Sequence, residues 1–179
     1  MRRNCLKMLL IFAVFAEQAF TAAASETAPR PMTGERMQSI IKRVDADANA
    51  QGNVVEFDFD GTPLVLVYDA AADRMRLMSP VVKVDELKDG QLKRMMQANF
   101  DSALDARYAI ANEVVWSVFI HPLSSLSEEQ FITAIGQTIN VVATFGTSYN
   151  SGVFVYGGGD SSELERREVI DRLREFIGT

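Results

Sequence analysis

The chain has 179 residues, 47% of them hydrophobic and 23% charged, with a formal net charge of −6. That balance supplies the core of a globular domain and argues against nucleic-acid binding, which needs a basic surface. With one His and one Cys, a tetrahedral zinc site would have to be nearly all carboxylate, and the core must form by packing without an internal disulfide.

The first 24 residues hold Arg2, Arg3 and Lys7, then the apolar run Met8 to Ala16, then Ala22, Ala23 and Ala24. A basic start, a short apolar stretch and a small-residue close form the pattern of an export signal, with cleavage expected after Ala24. Glu17 interrupts the apolar run, which falls short of the roughly 18 to 20 residues that span a bilayer. Membrane contact is therefore expected only in passing, through the leader. Cys5 precedes the run, whereas lipoprotein processing needs a Cys at the cleavage point, so the mature chain is expected to be free of thiols and to reside in the periplasm or the medium. The leader takes three of the 18 basic residues and one of the 24 acidic ones, leaving a net charge of about −8.

Residues 25–32, with Pro29 and Pro31, read as a flexible lead-in. From Thr33 as N-cap, Met37, Ile40, Ile41, Val44 and Ala48 recur at helical spacing and predict a first helix that Gly52 stops. The period then changes. Val55, Phe57 and Phe59 alternate with Glu56 and Asp58, Asp60-Gly61 intervenes, and Leu64, Leu66 and Tyr68 alternate again. A two-residue turn at Asp60-Gly61 sets Phe59 opposite Thr62, Phe57 opposite Leu64 and Val55 opposite Leu66. A looser turn over residues 69–73 leads to a third strand near Arg74 to Met78, which Pro80 is expected to end.

A second helix is predicted from about Asp85 to Leu104, carrying Leu87, Leu92, Met95, Met96 and Phe100, with Gly90 weakening its first turns. Arg107 to Ala111 and Val114 to Ile120 form strands around Asn112-Glu113. The latter has Val114, Trp116, Val118 and Ile120 on one face and Val115 and Phe119 on the other. That is more apolar surface than a sheet with one wet face requires, so the second face needs a cover. Ser127 with Gln130 reads as a capping box, and Leu126 can staple to Phe131. The third helix then runs along Phe131, Ile132, Ile135, Ile139, Val142 and Phe145 to Gly146. A linker over 147–160 encloses Val153 to Tyr156 and Gly157, Gly158 and Gly159. The final helix starts at Ser162 with Glu165, shows Val169, Ile170, Leu173, Phe176 and Ile177, and has Glu163 with Arg167 and Glu168 with Arg172 on its wet side. It is expected to pack on its own domain or on a partner subunit rather than to close as a lid.

No complete catalytic or metal-binding set emerges, and no cofactor is expected. The sharpest motif is Phe57-Asp58-Phe59-Asp60-Gly61-Thr62, which resembles the first motif of haloacid-dehalogenase-type magnesium phosphatases over about six residues. The resemblance implies Asp58 as nucleophile and Asp60 as general acid and base. Such a nucleophile follows a parallel strand buried on both faces, however, and Glu56 would be buried there without a partner at a cost of several kcal/mol. The Asp-Gly hairpin accounts for the motif and its flanks together. His121, before Pro122, reads as a structural residue near a strand end rather than as a partner for Ser124 or Ser125. Gly157 to Gly159 lacks the Lys and spacing of a phosphate loop.

The element order, the Met pair within Leu92 to Asn99, the strand opening Ala106-Arg107-Tyr108-Ala109-Ile110, and His121-Pro122-Leu123 before the Ser127 cap carry a diffuse resemblance over residues 37–146. Together they are similar to the class I type III secretion chaperone fold and, within it, its YbjN-like branch. The resemblance implies an α+β protein with an antiparallel sheet in the order helix, three strands, helix, two strands, helix, to which this chain adds a C-terminal helix. It also implies a homodimer that binds protein segments on apolar surface and catalyses nothing. An exported copy points to an envelope protein or peptide as partner. By that analogy, the candidate dimer interface is Met95, Met96, Phe100, Val115 and Phe119. The candidate partner surface is Met37, Ile41, Val44, Phe57 and Leu64. The expected domain covers 33–146, with the last helix over 161–179.

Overall fold

The computed structural model of the chain describes residues 31–151 and 161–178, excepting the side chains of 161–168. The expected leader, nearly all of the lead-in, the glycine triple and the second capping box lie outside the described residues.

Helix α1 (Gly34–Val44) begins where Thr33 Oγ1 accepts a hydrogen bond from Arg36 N at 3.2 Å. It ends at Asp45, earlier than the apolar stripe suggested. Ala48 is buried beyond the helix, and the chain enters a short exposed strand, β1 (Asn49–Gln51). Then follow β2 (Val54–Phe59), β3 (Thr62–Asp69) and β4 (Arg74–Lys83). Asp60 and Gly61 have φ of 58° and 79°, the left-handed pair that matches strand twist in a two-residue hairpin. The register is the expected one, with Phe59 opposite Thr62, Phe57 opposite Leu64 and Val55 opposite Leu66.

Strand β4 continues through Pro80, with a bulge between Pro80 and Val82. Its pairing with β3 runs only as far as Met78. Pro80 therefore lies past the end of the β3 ladder and next to a bulge, positions where a strand tolerates proline.

After a 3-10 turn (Val84–Glu86), α2 (Gln91–Asp101) starts just after Gly90 rather than at Asp85. Gly90 adopts φ 82°, a left-handed conformation that interrupts an α-helix, so Leu87 falls outside it. Strands β5 (Arg107–Ala111) and β6 (Val114–His121) close around Asn112 and Glu113, both at positive φ. The sheet order is β1-β2-β3-β4-β6-β5, antiparallel throughout. The fold is thus α+β in the anticipated order, with β1 added.

Helix α3 (Glu128–Ala143) carries the expected capping box: Gln130 N donates to Ser127 Oγ at 3.1 Å, and Ser127 N donates to Gln130 Oε1 at 2.8 Å. Every residue from Ala134 to Val141 is buried, because the sheet lies on one side of α3 and α4 (Ser161–Ile177) on the other. The last helix therefore packs on its own domain. Buried Gln137 fixes the approach to β5, its Oε1 accepting from Asp105 N and Ala106 N at 3.1 and 3.0 Å.

The folded unit also runs past the expected boundary at 146. Tyr149, Asn150 and Ser151 are buried; Tyr149 packs edge-on to Phe145 and Tyr108, and Leu104 N donates to Ser151 Oγ.

Candidate functional site

Asp58 and Asp60 act on the hairpin itself. Asp58 Oδ1 accepts from Gly61 N at 2.7 Å, its own N–H donates to Asp45 Oδ2 at 2.9 Å, and Asp60 is ion-paired with Arg172 of α4. Both sit at the tip of a strand antiparallel to its neighbours, with Glu56 exposed. A phosphatase nucleophile belongs instead at the carboxyl end of a parallel strand covered on both faces, so the geometry corrects that alternative.

His121 Nδ1 lies 2.8 Å from the Pro122 carbonyl. The imidazole stacks on Phe119 with centroids 6.0 Å apart. The Ser124 hydroxyl donates instead to Asp73 Oδ2 at 2.6 Å, while Ser124 N donates to Oδ1 at 2.7 Å. These bonds hold the Asp73 carboxyl below its ordinary pKa and tie the β3–β4 turn to the loop before α3. An open hollow of about 370 Å³ between β6 and α3 is lined by His121, Asp105, Glu129, Thr133 and Gln137, with neither Ser124 nor Ser125 in its wall. Among the described residues, no group of three or more His, Cys, Asp or Glu is placed to hold a metal.

What the arrangement does present is apolar surface. The helices cover one face of the sheet, where Val55, Phe57, Leu64, Leu66, Met75, Leu77, Val115 and Phe119 are buried. The pairing brings Val54, Val67, Arg76 and Ile120 into one row across the other face, and Val65, Met78 and Val118 into the next; Pro80 and Trp116 follow. None of these side chains is fully buried, and Ile120 is 53% exposed. No described helix lies over them, and a hollow of about 470 Å³ opens there between Val67, Arg74, Arg76, Met78 and Ile120.

A second apolar surface lies on α2, where Leu92, Met96 and Phe100 recur at i, i+4 and i+8 with exposures of 47, 49 and 93%. The opposite side of α2 buries Met95 and Ala98.

The residues singled out from sequence divide accordingly. Met96 and Phe100 are exposed, whereas Met95, Val115 and Phe119 belong to the core of a single subunit and are withdrawn from the dimer interface. Of the candidate partner surface, Met37, Ile41, Phe57 and Leu64 are likewise buried, and Val44 is half-buried against the same core. The physical reason is shared. Helix α1 and the hairpin have one apolar face each, and closing the domain consumes it. The sequence reading missed Val65, Val67, Met78 and Pro80, although consecutive apolar residues from Leu64 to Val67 already marked β3 as apolar on both faces.

No family model and no curated protein matches the sequence. Among solved structures, the chain is similar to one in the HopA1–SchA chaperone–effector complex, with TM-score 0.44 and 12% identity over 54% of this chain and 77% of that one. It is similar to a chain of the ExsC–ExsE complex, with TM-score 0.49 and 14% identity over 64% and 96%. A third likeness is to the Yersinia pestis type III secretion chaperone SycH in complex with a stable fragment of YscM2, with TM-score 0.46 and 11% identity over 62% and 99%.

Proposed function

We propose that this chain is a non-catalytic protein-binding module, exported from the cytoplasm, that works as a homodimer and holds a segment of an envelope protein on apolar surface. The observation that carries the reading is the outer face of the sheet, over which no described helix lies and where Val65, Val67, Met78, Trp116, Val118 and Ile120 form one apolar field. A contiguous field of that kind marks an interface. The face is also self-complementary in charge: Glu56 and Asp58 lie on the β2 side, Arg74 and Arg76 on the β4 side. In a two-fold contact each patch meets its counterpart on the other subunit, so acids can meet arginines while the apolar field closes on itself. The α2 stripe of Leu92, Met96 and Phe100 remains for a partner segment, and its Met is adaptable to varied apolar shapes. The structural engagements of Asp58, Asp60 and Ser124 argue against a phosphatase nucleophile at the hairpin and a hydrolase pairing with His121.

Light scattering on the purified chain tests the dimer, and affinity capture from an envelope extract tests the partner and the compartment together. The reading expects a dimer that enriches one or a few envelope proteins. A monomer that retains nothing contradicts it.

A further inference from the structure

Helix α4 is seated in a groove whose floor is α3 and whose walls are α1 and the tip of the β2–β3 hairpin. Ile170, Leu173 and Ile177, at i, i+3 and i+7, are buried there. The seat for the first of them is Gly136 of α3, where an added Cβ would stand 2.7 Å from Ile170 Cγ1. The rim of the groove is acidic and meets basic residues. Arg172 pairs with Asp60 and lies 5.8 Å from the centroid of the Phe59 ring, while Arg174 reaches Glu129 at 3.5 Å. Phe176 stands edge-on to Phe59 at 5.9 Å and is 59% exposed.

All these anchors fall within residues 170–177. They form the pattern by which an amphipathic helix reads an apolar groove, with a few anchors at i, i+3 and i+7 and charges outside them. The helix is joined to the rest of the fold through residues 152–160, three of which are consecutive glycines. It is thus a ligand attached to its own receptor.

We propose that the groove of α1, α3 and the hairpin is a helix-docking site in which α4 exchanges with a partner's amphipathic helix. That helix would carry apolar residues at i, i+3 and i+7 and arginines at i+2 and i+4. The existence of such a partner rests on the binding-module reading; the exchange of α4 does not. A segment tethered by a short connection competes at an effective concentration of the order of millimolar. An α4 whose own intrinsic affinity for the groove is ~100 μM therefore weakens binding of a free helix by about tenfold, and loosening α4 returns that factor.

The test uses a fluorescently labelled peptide of residues 161–179, titrated by anisotropy into the full chain and into its variants. Leu173→Asp removes the central anchor and should bind the peptide about tenfold more tightly than the unaltered chain. Arg172→Glu breaks the exposed contacts at Asp60 and Phe59 and leaves the buried anchors in place. It keeps the proposal testable should Leu173→Asp fail to fold, and should gain about threefold. Adding Gly136→Leu to either variant fills the seat and should abolish the gain. Equal affinity of the peptide for all chains, or no binding to a folded variant, overturns the proposal. The two readings fail separately: a chain that captures no envelope protein yet binds the peptide in this order keeps the groove and loses the module. A chain that captures a partner while its loosened variants ignore the peptide keeps the module and loses the groove.

Discussion

Asn99 stands beside Tyr108 as a one-residue strand: its Nδ2 donates to Tyr108 O at 2.9 Å, and Tyr108 N donates to its Oδ1 at 2.8 Å. Strand β5 is an edge of the sheet, and these are main-chain groups that its one neighbour leaves open. An exposed pair of this kind templates unwanted strand addition. Asn99→Leu should cost about 1–3 kcal/mol, the penalty for stranding two polar groups, and should raise the rate of aggregation. Urea denaturation with light scattering on heating checks both, and a variant as stable and as soluble as the parent contradicts the assignment.

At the other hairpin, Gly61 has φ 79° and its N–H is held by Asp58. Gly61→Ala forces a side chain into the left-handed region at about 1–2 kcal/mol, which for a domain of this size lowers the melting temperature by about 2–4 °C per kcal/mol. Asp58→Asn should leave magnesium-dependent hydrolysis of an aryl phosphate indistinguishable from that of the unaltered chain. A hydrolysis rate that the substitution abolishes would restore the phosphatase.

Glu128 receives Arg36 at 3.0 Å and Arg43 at 2.8 Å, joining α1 to the start of α3. Burial works to raise its pKa, but the two arginines outweigh burial and hold the carboxyl below its ordinary 4.5. A carboxyl whose pKa is lower folded than unfolded stabilises the fold above the unfolded value, and that stability is lost as pH falls through the folded value. Glu128→Gln should therefore cost about 0.5–1 kcal/mol at pH 7. The gap between the two chains should close as the pH falls below 4.5 towards full protonation. Urea midpoints across that range check the sign, and a gap that persists in acid contradicts it.

Gly34 at the start of α1 abuts the Tyr68 ring so closely that no Cβ fits. The ring cannot simply swing away, because its hydroxyl accepts from Gln38 Nε2 at 2.9 Å and donates to Gly52 O at 3.2 Å. Gly34→Ala should cost about 1–3 kcal/mol through overpacking, measured as a lowered urea midpoint.

Much of this was legible in the sequence wherever one residue type permits one conformation. Asp60-Gly61 gave the register of β2 against β3, and Ser127 with Gln130 gave the start of α3. Strand β1 left no signal because all three of its residues are exposed, so nothing in Asn49-Ala50-Gln51 alternates. Pro80 misled because its effect depends on whether β3 still pairs alongside, which composition does not reveal. The candidate site residues that the domain buries failed for a related reason. Periodicity reports that Met95, Val115 and Phe119 are buried, but not whether their own subunit or another one buries them. The outer face was readable in β6, where both faces are apolar, and the same argument applied to β3 would have completed it.

That face is where the account is most directly tested. Sedimentation velocity at tens of micromolar should show the unaltered chain as a dimer. Val118→Lys, on the outer side of β6 beside Met78 and Arg107, should sediment as a folded monomer. An unaltered chain that sediments as a monomer, or a dimer indifferent to Val118→Lys, contradicts the claim that this sheet face joins two copies.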